Sequence, residues 1–387
     1  MEIAVAGCGI GGLAAAVFLA REGHRVTLYE RFDAPAPVGS GLVLQPVGLE
    51  VLEALGLRAK AEALGHPIEA LDGRDADTGR RVLDVRYDHG GAGLSGLGIH
   101  RATLFSVLFD AAQEAGIAIE PGCTLTGMTD GQMTFARAGE PFTVRADVSV
   151  DATGAGSPLS EDPGRALPFG ALWATVPAGD DPQPAKLRQT YRGARYMAGI
   201  LPIGRMPDAP APQLAIFWSL PRAAYGAWRS APLSAWKAEA GALWPEFAPH
   251  LESIAHHDDL VMAQYRHRTL RRPVKGRCVH LGDSWHATSP QLGQGANMAL
   301  LDAAALATAL GETDDIDAAL AEYRRKRIIH IRLYQLISQV FTPLYQSDSD
   351  GLALLRDRVL APSARLPGIR WLLGRMVSGD LILPILP

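Results

Sequence analysis

The chain has 387 residues, 48% hydrophobic and 20% charged, which suits a globular protein of about two domains. Its net charge of −4 gives no reason to expect nucleic acid as a partner, so the expected partners are small molecules. Three cysteines, Cys8, Cys123 and Cys278, stand far apart with no CxxC pair, which argues against a disulfide framework or a zinc site and fits a reducing cytoplasm.

The apolar start opens Met-Glu with no basic stretch before it, and glycines interrupt it, so no signal peptide is expected. No run of 18 apolar residues occurs, so no transmembrane segment is expected either. "EIAVAG" (Glu2 to Gly7) predicts a buried parallel strand, "LAAAVFLAREG" a helix ending at Gly23, and "HRVTLYE" a second strand ending on Glu30. Between the first strand and the helix runs Gly7-Cys8-Gly9-Ile10-Gly11-Gly12. Gly7 permits the tight turn, Gly9 lets a pyrophosphate approach the backbone, and Gly12 lets helix and strand pack closely. Gly11 completes the loop, and the helix N-terminus faces the phosphates. Glu30, with Arg31 beside it, is placed for a ribose. Cys8 fills a variable position of the motif and is read as packing.

"RFDAPAPVGSGLVLQPVGLEVLEALGL" follows, a loop carrying Pro35, Pro37, Gly39 and Gly41, with a helix from about Val47. A glycine-rich loop here suits the edge of a flavin ring, with Gly41 at the cofactor and Gln45 at the substrate. Residues 165–221 alternate polar and apolar side chains between Pro, Gly and Asp clusters and predict an antiparallel sheet. That sheet covers the flavin, and Trp173, Tyr191, Tyr196 and Trp218 are candidate pocket walls or core.

"RCVHLGD" predicts another buried strand ending on Asp283, an acid placed to bind a polyol. "SPQLGQG" then leads into the helix "ANMALLDAAALATAL", whose N-terminus points at negative charge. Two glycine loops so far apart suit FAD. Adenine, ribose and pyrophosphate occupy the first, while the ribityl chain and isoalloxazine reach Asp283 and the amides of Gly295 to Asn297. His286, in the same loop, is a candidate base or a structural histidine. From about residue 320, "AEYRRKRIIHIRLYQLISQVF" predicts a long helix with a basic start. It packs over the flavin domain, meets a dimer mate, or contacts a membrane surface.

Gly7-x-Gly9-x-x-Gly12, "GIHRATLFSVL" around Arg101, and Gly282-Asp283 with "SPQLGQGAN" together resemble the single-component FAD-dependent aromatic hydroxylases, the para-hydroxybenzoate hydroxylase-like family. The resemblance spans at least residues 1–330, and "FTPLYQSDSD" (Phe341 to Asp350) is similar to bacterial members of the group. It implies an α/β fold: a Rossmann-like FAD-binding domain (1–70, 98–164 and 270–320), an inserted antiparallel β-sheet substrate domain (71–97 and 165–269), and a C-terminal helical region (321–387). It implies a monooxygenase reduced by NADH or NADPH that hydroxylates a small aromatic or activated ring with O2 through a C4a-hydroperoxyflavin. By position, Arg101 contacts the FAD pyrophosphate or ribityl region and Asp283 the ribityl hydroxyls. Pro290 lines the space beside the flavin, and Gly293, Gly295, Ala296 and Asn297 support the ring edge. The flavin itself is the catalyst, so no catalytic side chain is assigned.

One departure stands out. In "VDATGAGSPL" (Val150 to Leu159) Thr153 occupies the position of an acid in the family's "GADGxxS" stretch, while Asp151 sits two residues early. That acid serves FAD and nicotinamide binding, so the substitution puts nicotinamide use in question. The alternative reading is a FAD oxidoreductase that dehydrogenates or reduces without inserting oxygen. The halogenase signature WxWxIP is absent.

Overall fold

The computed structural model describes residues 1–34, 40–87, 93–179, 185–207 and 209–382; Pro35, Pro37 and Gly39 of the first predicted loop lie outside them. A six-stranded sheet runs in the order Val274–Lys275, Cys278–His280, Val148–Asp151, Glu2–Ala6, Arg25–Tyr29, Ala118–Glu120. All its pairings are parallel except the two-residue edge strand. The central parallel strands Val148–Asp151 and Cys278–His280, and Glu2–Ala6 after its first residue, are short and buried because both faces are covered. The helices Ile10–Arg21 and Gly295–Gly311 pack against each other on this sheet, and the Ala-rich sequences of both allow close approach.

A seven-stranded sheet lies beside it, built from Val261–His267, Arg165–Pro177, Ala209–Pro221, Tyr196–Met206, Lys186–Arg192, Ala70–Asp75 and Arg81–Arg86. It is antiparallel apart from the parallel pair Lys186–Arg192 with Ala70–Asp75. Successive side chains alternate faces. One face carries Leu172, Ala174, Ile200, Ile216 and Trp218, and it packs on Trp228, Trp236, Leu243 and Phe247 from short helices between 225 and 251. The other face, with Ala171, Trp173, Met197 and Phe217, turns toward the cofactor domain.

The predicted long helix spans Ile316–Tyr345, 30 residues, and starts where Asp315 accepts hydrogen bonds from the amides of Asp317 and Ala318. Its inner side packs on the Gly295–Gly311 helix. Its outer side and the following segment leave Ile329, Leu336, Val340, Leu354, Leu360 and Trp371 exposed. The last helix, Pro367–Ser378, returns its buried end to the cofactor loops. Among the described residues, no helix is long and apolar enough to cross a membrane.

Candidate flavin and substrate site

The first glycine loop is shaped by contacts that side chains would break. Gly7 has φ +101°, and a Cβ there would stand 2.7 Å from the Ala152 carbonyl oxygen. A Cβ on Gly12 would stand 2.0 Å from the Gly7 carbonyl oxygen, and one on Gly11 2.4 Å from Leu281 Cδ2. Gly9 differs: a Cβ there meets nothing within 4 Å. It borders open space at the N-terminus of the Ile10–Arg21 helix, whose first amides have no acceptor within the helix. A pyrophosphate fits that cradle.

Glu30 is buried and braces the loop. Its Oε2 accepts from the Cys8 amide at 2.7 Å and its Oε1 from the Phe32 amide at 3.2 Å. Arg31 is exposed beyond the strand, with its guanidinium 4.6 Å above the Phe32 ring. Burial, then the Glu30 charge, pushes the Cys8 thiol up to about 12, so it stays a neutral packing group.

The second loop starts at Gly282 (φ +61°), and the Asp283 side chain is exposed to the cleft. Arg268 fixes this turn by donating to the carbonyl oxygens of Asp283 (2.7 Å) and Ser284 (3.1 Å). Gly293 is left-handed (φ +61°), and the helix after it leaves the amides of Gly295, Ala296 and Asn297 without helical acceptors. The Asn297 side chain does not face the cofactor. Its Oδ1 accepts from the Gln45 amide at 2.8 Å and its Nδ2 donates to the Gly293 carbonyl at 2.8 Å, tying the two cofactor loops together.

His286 is not placed as a base. It is buried, with Nε2 2.5 Å from Asp302 Oδ2. Asp302 also accepts from the Gly282 amide (2.9 Å) and from Arg327 Nε (2.7 Å). Arg327 reaches His330 Nδ1 at 2.9 Å, and His330 Nε2 reaches the Gly379 carbonyl at 2.9 Å. This buried chain ties the cofactor loop to the C-terminal helices.

Thr153 caps a turn: its amide and hydroxyl both donate to Asp151 Oδ1, at 3.0 and 2.6 Å. Asp151 is fully buried, bonded also by the Ser157 hydroxyl and 2.9 Å from His280 Nδ1. Burial raises its pKa, but His280, Ser157 and Thr153 outweigh that and hold it below the usual carboxylate range. The early acid therefore organises the turn from beneath, and the Thr153 hydroxyl is engaged by it.

A cavity of about 340 Å³ lies between the two loops and the seven-stranded sheet. Gly9, Gly11, Gly41, Gln45, Arg101, Asp283, Pro290, Gly293, Gly295 and Ala296 all line it. A wider cleft of about 790 Å³ continues outward past Gly41, Arg101, Trp173, Tyr265 and Pro290. Gly41 has to be glycine, since a Cβ would stand 2.5 Å from Ala215 Cβ. Gln45 is held by the Tyr87 hydroxyl on its Oε1 at 2.6 Å, which turns its Nε2 toward Gly293.

Three of the expected pocket walls lie elsewhere. Tyr196 and Trp218 fall on the opposite face of the sheet and pack edge-on with ring centroids 6.0 Å apart. Tyr191 is buried beneath Tyr345 and Arg356, and its hydroxyl donates to Gln189 Oε1 at 2.8 Å. Trp173 does line the cavity, with Phe217 at 4.7 Å between ring centroids. Gln189, Tyr265 and Gln346 also line it and were not anticipated. For Gln346 the signal lay in the quoted "FTPLYQSDSD" stretch.

The sequence model of the FAD binding domain family matches residues 1–332. The chain is 28% identical over 355 residues to the FAD-dependent urate hydroxylase of Mycolicibacterium vanbaalenii, covering 84% of each. It is 27% identical to a probable 2-heptyl-3-hydroxy-4(1H)-quinolone synthase of Rhodococcus erythropolis, covering 94% of this chain and 92% of that one. Among solved structures, Klebsiella pneumoniae HpxO complexed with FAD and uric acid superposes with a TM-score of 0.77 at 21% identity, covering 98% of both chains. The tetrameric form of 2-methyl-3-hydroxypyridine-5-carboxylic acid oxygenase gives 0.75 at 22% identity, covering 93% of this chain and 97% of that one. The open cradle at Gly9, the acid at Asp283 and the amides at Gly295 to Asn297 fit an extended FAD, and the chain belongs to the FAD binding domain family.

Proposed function

We propose that this protein is a FAD-dependent monooxygenase that takes electrons from NADH or NADPH and hydroxylates a small aromatic or activated ring with O2. The observation that carries the reading is the cavity itself, which joins the flavin-edge loop Pro290–Ala296 to the aromatic wall of Trp173 and Phe217. Bound FAD supplies the redox chemistry, accepting electrons from the nicotinamide and passing oxygen to the ring. The chain's residues position and shield. Asp283 holds polyol hydroxyls, and the helix-terminal amides of Gly295 to Asn297 stabilise negative charge at the ring edge. Trp173 and Phe217 offer a ring substrate flat apolar surfaces and exclude water. No side chain is assigned a proton transfer.

Anaerobic mixing of the FAD-loaded protein with NADH or NADPH tests the reductive half. Flavin absorbance bleaches slowly alone and faster with a substrate that binds. Readmitting oxygen then yields hydroxylated product. The engagement of the Thr153 hydroxyl by Asp151 favours one second reading, an oxidoreductase served by another donor. Failure of both nucleotides to bleach the flavin, with any binding substrate, supports that reading.

Two finer points belong to the same proposal. The exposed Leu354, Leu360, Leu366 and Trp371 suit pairing with a second copy of the chain as a homodimer, which sedimentation of the holoprotein tests. Three buried free cysteines suit a cytoplasmic location.

A further inference from the structure

The polar side chains on the sheet side of the cavity are amides and a phenol, while Thr288, Ser289 and Gln291 stand on the loop side. Arg101 and Asp283 are the charged side chains among its described lining residues, and both stand with the cofactor loops. The opposite wall, built on the seven-stranded sheet, presents Gln189, Tyr265 and Gln346. Tyr265 accepts from Trp173 Nε1 at 2.8 Å, so its hydroxyl hydrogen is what it offers the cavity. Burial raises its pKa to about 12, keeping it a neutral donor. Gln189 has its oxygen engaged by Tyr191, which leaves its Nε2 as the group it presents.

Gln346 is the acceptor of the set. It ends the Ile316–Tyr345 helix and is 3% exposed. Its Nε2 lies 3.3 Å from the Gly170 carbonyl oxygen and 3.2 Å from Ser219 Oγ, on two neighbouring strands of the sheet. A carbonyl oxygen only accepts, so this contact fixes the amide orientation and turns Oε1 away from the sheet. That Oε1 is buried and has no hydrogen-bond partner. A buried acceptor without a donor is costly, and such groups in folded proteins mark a missing partner. FAD is expected at the Gly9 and Gly293 loops, which line the cavity together with Gln346, and this leaves a substrate group to supply the missing donor.

We propose that Gln346 selects the substrate, and that the substrate is an uncharged aromatic ring whose own N–H or O–H group donates a hydrogen bond to Gln346 Oε1. The proposal rests on the monooxygenase reading for its location beside the flavin, yet it concerns binding alone. An anionic ring, such as a benzoate, meets amide and phenol groups on the sheet wall with no cation among its described residues. A neutral ring with a donor on one edge and an acceptor on the other meets Gln346 and Tyr265 in complementary sense. Gln346 is then a specificity residue, and the aromatic walls supply the rest of the affinity.

The test is equilibrium titration of the oxidised, FAD-loaded protein, read by perturbation of the flavin visible spectrum. The probes are 4(1H)-quinolone (neutral, with an N–H), 1-methyl-4-quinolone (the same ring without the donor) and 3-hydroxybenzoate (an anion). In wild type, 4(1H)-quinolone binds saturably, and the other two bind at least about tenfold more weakly. In Gln346→Met, which keeps length and removes the acceptor, the ratio between the two quinolones falls to roughly twofold or less. The wild-type comparison stands even where the variant does not fold. Equal affinity for both quinolones in wild type, an unchanged ratio in Gln346→Met, tighter binding of 3-hydroxybenzoate, or no response to 4(1H)-quinolone each overturns the proposal. Oxygen insertion is measured separately. A protein that binds 4(1H)-quinolone as described but forms no hydroxylated product refutes the proposed function and leaves the binding role of Gln346 standing.

Discussion

Replacing Asp302 by asparagine removes one charge from a buried polar chain that runs from His286 through Arg327 to His330. Asp302 and Arg327 are 0% and 2% exposed, and their 2.7 Å contact neutralises a guanidinium that water does not reach. Burial pushes the Asp302 pKa up, but His286 and Arg327 outweigh it and hold the carboxyl ionised. An asparagine leaves the Arg327 cation without a counter-charge, a change that typically costs about 3–5 kcal/mol. That is a large share of the roughly 5–15 kcal/mol that holds a domain folded. The Gly282 amide, which Asp302 anchors at 2.9 Å, also loosens, and Asp283 follows it directly. Urea unfolding of the holoprotein, followed by circular dichroism, reads the stability loss, and released flavin fluorescence reads the loop. Adding Arg327→Met to Asp302→Asn removes the stranded cation. The double variant then loses less than the sum of the single losses, by about 1–3 kcal/mol. A cost under about 1 kcal/mol for Asp302→Asn, with normal flavin retention, refutes the reasoning that this chain braces the cofactor loop.

Gly9→Val folds with a wild-type circular dichroism spectrum, because φ is −77° and a Cβ there meets nothing, yet it purifies colourless. Yellow Gly9→Val protein with full flavin content removes the pyrophosphate from this loop. Asp283→Ala weakens FAD binding by about 1.5–3 kcal/mol, roughly 10- to 150-fold, by removing a charge-assisted hydrogen bond to a polyol. Titration of apoprotein with FAD measures this, and equal affinities rule out the ribityl role. Burial, then the Arg327 charge, pulls the His330 pKa from 6.5 down to about 3. The unfolded chain therefore binds this proton more readily than the folded one. Its stabilising contribution is complete above pH 6.5 and is lost below it, by up to about 1.4 kcal/mol per pH unit. His330→Gln melts with a shallower dependence on pH between 6.5 and 4 than wild type, and identical slopes contradict the assignment.

The cofactor half of the site was legible because its determinants are local. Gly7, Gly9 and Gly12 act within one strand–turn–helix unit, and Gly293 and Gly295 within one loop–helix junction, so spacing along the chain is spacing in the structure. Asp283 was legible for the same reason, as an acid at the end of a strand. Asn297 and His286 sit in those same motifs, and spacing alone left open what their side chains do; in the fold His286 takes the structural role on Asp302 and the Asn297 side chain ties two loops together. Their partners, Gln45 and Asp302, reach them only once separate elements have packed. The substrate half was read less well. Alternation along residues 165–221 says which side chains share a face of the sheet, and it correctly predicted an antiparallel sheet. It does not say which face meets the flavin, because both are covered and both are apolar: Trp218 lies under the helices between 225 and 251, and Phe217, one residue earlier, lines the cavity. Gln346 shows the limit most sharply. It is brought to Gly170 and Ser219, 176 and 127 residues away, by the docking of a 30-residue helix against a sheet. The chain by itself determined the cofactor and the family through short-range glycine geometry. Only the tertiary structure decided which side chains line the cavity, because that depends on which of two buried faces each element turns toward the glycine loops.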